Sequence, residues 1–124
     1  MNICLYGSSG DEINREYIEK VEKLGEEIGR RGHALVFGGG AKGLMGAAAR
    51  GMSLANGQIV GIAPSFFNVD GILYEKCSDF ILTETMRERK EIMENMSDAF
   101  IVTPGGIGTF EEFFEIGRVS CRER

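Results

Sequence analysis

Hydrophobic residues are laid along the chain in two alternating textures. Ile3 to Tyr6 is a short unbroken apolar run that stops at Gly7-Ser8-Ser9-Gly10, a pattern that predicts a strand ending in a turn. From Ile13 the spacing becomes helical. Ile13, Tyr17, Val21, Leu24 and Ile28 share one face, Glu16, Glu19, Lys20, Lys23 and Glu27 fill the other, and Gly32 closes the helix. Ala34 to Phe37 is a second buried strand running straight into Gly38-Gly39-Gly40. A helix of small residues follows over Leu44 to Ala55, with Asn56-Gly57 as its stop. Ile59 to Ala63, Phe80 to Leu82 and Ala99 to Val102 supply three further strands, and Met86 to Ser97 reads as a helix before the last of them. Apolar runs without polar alternation, separated by helices, predict an α/β fold whose parallel sheet is buried on both faces. Pro64 to Lys76 is an irregular connection carrying Phe66, Phe67 and Tyr74, apolar enough to cover a site or an interface. No domain boundary, repeat or low-complexity segment interrupts the pattern.

Composition narrows the class. A length of 124 residues sets one domain as the expectation. Glycine is the outlier at 18 residues, roughly twice its usual share. Hydrophobic content of 43% and charged content of 27% are ordinary for a folded domain, so the glycine points to backbone geometry rather than disorder. A net charge of −5 argues against nonspecific binding to nucleic acid or to acidic membranes. Cys4, Cys77 and Cys121 lie far apart without a C-x-x-C pair, and there is one histidine, so neither a zinc site of the usual spacing nor a disulfide framework is expected. That usage predicts a reducing cytoplasm. No apolar run approaches membrane-spanning length, and Met1-Asn2-Ile3-Cys4 lacks the charged start of a signal peptide.

In open parallel sheets, ligands bind beyond the carboxyl ends of the strands. Three glycine-rich turns stand at such ends: Gly7 to Gly10, Gly38 to Gly43, and Pro104-Gly105-Gly106-Ile107-Gly108-Thr109. Each leads into a helix N-terminus, where backbone N–H groups and the helix dipole favour an anion; the plainer reading is three tight strand-to-helix turns. Gly38-x-Gly40-x-x-Gly43 matches a dinucleotide fingerprint, yet the next strand ends Gly61-Ile62-Ala63-Pro64 without the acidic residue that a ribose requires. A P-loop also fails, because Leu44-Met45 stands where lysine and a hydroxyl residue belong.

Two further signals carry charge. On the helix from Met86, at about 100° per residue, Met86, Ile92, Met93 and Met96 share an arc with Arg89 in its middle, while Arg87, Glu88, Glu91, Glu94 and Asn95 lie opposite. A guanidinium on an apolar face costs desolvation unless it meets an anion. Arg89 is therefore either an anion clamp, or an arginine paired to a structural carboxylate or reaching out to solvent. Lys90 sits at the edge of the arc. Thr109-Phe110-Glu111-Glu112 has the spacing of a capping box. The alternative places Glu112 beside a bound phosphate ester, as base or charge stabiliser.

Taken together these residues resemble the LOG family, the cytokinin riboside 5′-monophosphate phosphoribohydrolases long mislabelled lysine decarboxylases. The resemblance rests on Gly7-Ser8-Ser9, on Gly38 to Gly46 with Leu44-Met45, on Arg89-Lys90, and on Pro104 to Glu112, in order over residues 1–116. It implies a Rossmann-like three-layer α/β fold, a homodimer, and an AMP nucleosidase-type hydrolysis of the N-glycosidic bond of a nucleoside 5′-monophosphate. The products would be a free base, either adenine or a cytokinin, and ribose 5-phosphate. By the same resemblance Arg89 and Glu112 are the catalytic pair. Substrate would contact Lys90, Gly105, Gly106, Ile107, Gly108, Thr109, Phe110, Glu111, Gly39, Gly40, Met45 and Ser8, with no metal or redox cofactor. A carboxylate beside an oxocarbenium-like transition state is sensible chemistry for such a bond, and nothing in the chain marks a pyridoxal-phosphate site.

Arg87 stands where plant members commonly have histidine. After Glu115-Ile116 the family normally continues its helix and adds strand and helix units. Here residues 117–124 form a polar tail with three arginines, which predicts a domain over residues 1–116 cut short at its carboxyl end. The same architecture also serves non-catalytic nucleotide and molybdenum-cofactor carriers. A carrier and an inactive truncated paralogue are therefore the alternatives to the enzyme.

Overall fold

The computed structural model describes residues 1–8, 13–67 and 72–103. Five strands, β1 (Asn2–Tyr6), β2 (Ala34–Phe37), β3 (Ile59–Pro64), β4 (Asp79–Thr83) and β5 (Ala99–Val102), form one sheet in the order β4-β3-β2-β1-β5. Every pairing is parallel, with Asn2 opposite Ala34, Leu35 opposite Ile59, Val60 opposite Asp79, and Ile3 opposite Ala99. The three-layer α/β expectation is met. Helices α1 (Arg15–Arg30) and α2 (Gly43–Leu54) cover one face, and α3 (Met86–Met96) covers the other.

Burial on both faces explains the unbroken apolar runs of β1, β2 and β3, whereas the edge strands β4 and β5 are only partly buried. Ile3, Leu5, Leu35, Phe37 and Ile59 join the core under α1 and α2. Their alternates Cys4, Tyr6, Val36, Val60 and Ile62 pack around Met93 of α3. Tyr6 stacks on Phe100 with ring centroids 6.2 Å apart, so β1 and β5 are also joined by side chains on that face.

One face assignment on α1 changes. Tyr17, expected on the apolar face, is 49% exposed, and Ile18 packs against the core in its place. The buried stripe runs through Val21, Gly25 and Ile28 because α1 rests on α2 by close backbone approach. A Cβ on Gly25 would run into the Ala48 backbone, and one on Gly51 into the Glu22 backbone. Small residues rather than large apolar ones set that contact.

Helix ends follow local chemistry. Asn14 caps α1 by accepting a bond from the Glu16 N–H at 2.9 Å. At its other end the Gly32 N–H donates to Gly29 and the His33 N–H to Ile28, with Gly32 at φ +78°, a Schellman arrangement. The end of α2 repeats it with Asn56 in the left-handed position at φ +53° and the Gly57 N–H on the Met52 carbonyl. None of the helices among the described residues is long and apolar enough to cross a membrane.

Strand order locates the crevice. The chain steps outward from β1 through β2 and β3 to β4, then α3 carries it back across the opposite face to β5 beside β1. The direction of winding therefore reverses between β1 and β5, and ligands of open α/β sheets bind outside the carboxyl ends at such a reversal. The strands preceding the three glycine-rich turns, β2, β1 and β5, are consecutive neighbours in the sheet.

Candidate functional site

Arg89 is the charged residue that the fold buries most purposefully. It lies one turn into α3, which starts at the carboxyl end of β4 and is fixed there by two threonines. Thr85 caps the helix by accepting from the Glu88 N–H at 3.1 Å, Glu88 accepts in turn from the Glu84 N–H at 3.3 Å, and the Thr83 hydroxyl donates to the Thr85 carbonyl at 3.0 Å. From that start Arg89 points inward and is 8% exposed. Its Nε donates to the Ile62 carbonyl at 2.9 Å, and its Nη1 lies 3.6 Å from the Met86 sulfur. Strand β2 pairs with β3 only as far as Phe37 opposite Gly61. One residue further along β3, the arginine meets the Ile62 carbonyl. The guanidinium thus sits where β2 leaves the sheet and becomes the glycine turn, against Gly38.

Of the two structural readings of Arg89, an excursion to solvent is excluded by its burial. Ile92, Met93 and Met96 pack on the core as the arc expects, whereas Met86 is exposed. Lys90 is half-buried beside Arg89.

The turn after β2 is braced from several sides. Gly39 lies at φ +83°, a conformation that L side chains rarely adopt, and Phe80 and Leu73 cover its Cα. The Gly40 N–H donates to the Met45 sulfur at 3.2 Å. The connection between β3 and β4 folds back as a strap: the Tyr74 N–H donates to the Gly39 carbonyl at 2.8 Å and the Ala41 N–H to the Ile72 carbonyl at 3.0 Å. Leu73 bridges Gly40 in antiparallel fashion, and the Tyr74 hydroxyl is 2.6 Å from that of Ser53 on α2. Of the apolar residues expected to cover a site or an interface, Tyr74 lies in this strap, whereas Phe66 is 59% exposed. Arg50 adds a brace from α2, donating to the Ala41 carbonyl at 3.3 Å while lying 3.6 Å from the Glu22 carboxylate. Beneath the strap, burial pushes the Cys77 thiol up to about 11, and its Sγ donates to the Tyr74 carbonyl at 3.4 Å.

The turn after β1 is tied to both neighbours. The Met45 N–H, in the first turn of α2, donates to the Ser8 carbonyl at 3.3 Å. On the other side Thr103 ends β5, donating both its N–H and its hydroxyl to the Tyr6 carbonyl, at 2.8 and 2.9 Å. Thr103 therefore ties the end of β5 to the end of β1.

Ser8, Gly39, Gly40, Met45, Arg89 and Lys90 are accordingly borne by the turns after β1 and β2, the first turn of α2 and the start of α3. Gly105, Gly106, Ile107, Gly108, Thr109, Phe110, Glu111 and Glu112, with Ser9, Gly10 and the tail, lie outside the described residues. The residue-level reading missed Thr103, the Tyr74–Ser53 pair and the Thr85 cap. The last was legible, since Thr85-Met86-Arg87-Glu88 has capping-box spacing. The Tyr74–Ser53 pair joins segments 21 residues apart and leaves no local signal.

Fold and strand-end site together define a Rossmann-like α/β protein with a cationic residue seated at the carboxyl edge of its sheet. Residues 45–121 match a family model described as possible lysine decarboxylase, and the chain belongs to that family, the LOG family. It is 42% identical over 100 residues to the cytokinin riboside 5′-monophosphate phosphoribohydrolase of Mycobacterium tuberculosis, covering 81% of this chain and 54% of that protein. It is 34% identical over 114 residues to the enzyme of the same name, LOG, from Oryza sativa subsp. japonica, covering 92% and 47%. The chain thus spans about half the length of the curated relatives it matches. Among solved structures, the molybdenum cofactor binding protein from Rippkaea orientalis superposes with a TM-score of 0.83 at 26% identity, over 96% of this chain and 71% of that one. The molybdenum cofactor carrier protein from Chlamydomonas reinhardtii gives 0.83 at 22% identity over the same shares, a likeness of fold alone.

Proposed function

We propose that this chain is a phosphoribohydrolase that cleaves the N-glycosidic bond of a nucleoside 5′-monophosphate, AMP or an N6-modified AMP, working as a homodimer. The observation that carries the reading is the seating of Arg89 at the carboxyl edge of the sheet, held by Nε on the Ile62 carbonyl against the first glycine of the second turn. The reaction itself is taken from relatives named for it at 34 to 42% identity.

In this reading the 5′-phosphate rests on backbone N–H groups of the glycine-rich segment Gly105 to Thr109, a residue type and spacing that suit an anion. Arg89 and Lys90 neutralise and orient the ester. As the bond to the base lengthens, positive charge develops on the ribose ring. The Glu112 carboxylate stabilises that charge, orients the attacking water and takes one of its protons. The water oxygen bonds to the anomeric carbon while the base departs with the bonding pair and receives that proton. Ser8, Gly39, Gly40 and Met45 complete the walls of the crevice. None of these steps calls for a metal or redox cofactor.

A second reading, a non-catalytic carrier, is favoured by the likeness to the Rippkaea orientalis protein. One experiment separates the two. The purified chain is incubated with AMP and with N6-isopentenyl-AMP, and free base is sought by chromatography together with ribose 5-phosphate in equal amount. Binding of nucleotide without release of base would overturn the enzymatic reading.

A further inference from the structure

We propose that Gly38 is a positioning residue: the volume left by its missing side chain seats the Arg89 guanidinium, so the first glycine of the turn fixes where that charge lies. The functional half of the proposal rests on the phosphoribohydrolase reading; the packing half does not.

Three observations carry it. Among the described residues the glycines in the left-handed region are Gly32, Gly39 and Gly43; Gly38 is not one of them, so its backbone does not require glycine there. What an added Cβ would meet is the arginine: it would overlap Nη2 and stand 2.8 Å from the guanidinium carbon. The guanidinium is also poorly placed to withdraw. Its Nε is bonded to the Ile62 carbonyl at 2.9 Å within a buried setting. On the other side the Met45 methyl would be 3.1 Å from the same Cβ, and the Met45 sulfur is occupied by the Gly40 N–H. Adjacent glycines in one motif thus have different causes. Gly39 is required by its backbone angle and Gly38 by the space that a charge occupies. A methyl group at position 38 would push the charged end of Arg89 off its seat, and displacements of that size cost on the order of 10²-fold in rate when the group must meet a reacting substrate.

The test is a thermal double-mutant cycle on the whole chain with Gly38→Ala, Arg89→Met and the double variant. Gly38→Ala should lower the melting midpoint by about 5 °C or more beside Arg89 and by much less beside Met at that position. An equal drop in both backgrounds, or failure to fold in both, overturns the proposal, because it locates the clash away from the guanidinium. A spectroscopic arm follows the Nε–H resonance that disappears in Arg89→Met. It should shift in Gly38→Ala, and an unmoved resonance also overturns the seating. In turnover assays with N6-isopentenyl-AMP, Gly38→Ala should lose on the order of 10²-fold in kcat. Gly32→Ala, strained at φ +78° at the far end of α1, should keep the parent kcat. Coupling in the melts with an unchanged kcat overturns the positioning role. If the parent chain releases no base, the enzymatic reading fails, and the melts and the resonance still decide the packing.

Discussion

At the scale of single residues, the proposed chemistry divides between a cation buried at the edge of the sheet, Arg89, and a carboxylate, Glu112, that follows the third glycine-rich segment in sequence. Arg89 cannot be replaced by lysine without loss, because its Nε bond to the Ile62 carbonyl comes from an N–H that lysine lacks at that point of the stem. Arg89→Lys should cost about 1–3 kcal/mol in stability, read by denaturant unfolding, and should lower kcat as well. Glu112→Gln should abolish base release while leaving the melting curve in place; undiminished turnover in that variant would remove the catalytic assignment. Cys77 gives a pH prediction. Burial raises its thiol from an ordinary value of 9.0 to about 11, so the folded state keeps a proton that the unfolded state gives up across that window. Stability from this group is complete below about 9 and is lost as pH rises toward about 11. The melting midpoint of the parent should therefore fall more steeply with alkaline pH than that of Cys77→Ala, and parallel curves would refute the burial argument.

At the scale of elements, stability is concentrated where backbones meet. Gly51→Ala places a methyl group against the Glu22 carbonyl and the Glu26 N–H across the α1–α2 contact, so the helices must separate. The expected cost is about 1–3 kcal/mol or more, measurable by urea unfolding. Thr85→Ala removes the cap of α3 and should cost about 1 kcal/mol. Because that cap fixes the entry of the helix bearing Arg89 and Lys90, KM should rise in the same variant. Elements themselves were largely legible in the sequence. The bounds of β2 follow from an apolar run between polar and glycine residues, since a strand buried on both faces admits no polar position. Strand β5 is instead an apolar but half-buried edge strand bounded by Asp98 and Thr103. What failed was the face of α1. Periodicity counts Tyr17 as apolar and gives no weight to Gly25, whereas the contact with α2 selects for absence of side chain. The strap over the second turn was legible only as an apolar loop, because its bonds to Gly39 and Ala41 are made by backbone atoms.

At the scale of the molecule, strand order was the information that local pattern lacked. A run of apolar residues states that a strand is buried, not which strand lies beside it. The neighbours become known only when β5 is found next to β1, and that adjacency turns three glycine-rich turns into one candidate crevice. The same order leaves β4 at one edge of the described sheet and β5 at the other, with Leu82 at 48% and Val102 at 41% exposure near their carboxyl ends. Apolar side chains and unpaired strand edges next to a site are costly to leave in water. A second copy of the chain, as the family resemblance implies, would remove part of that cost. Sedimentation equilibrium should therefore report a mass close to twice the 13.6 kDa of the chain. Replacing Leu82 and Val102 with glutamate should shift the population toward monomer with little loss of helical signal, since both side chains already lie at the surface. If the parent is a monomer that nevertheless releases base, the crevice is complete within one chain and the dimer has no part in the chemistry.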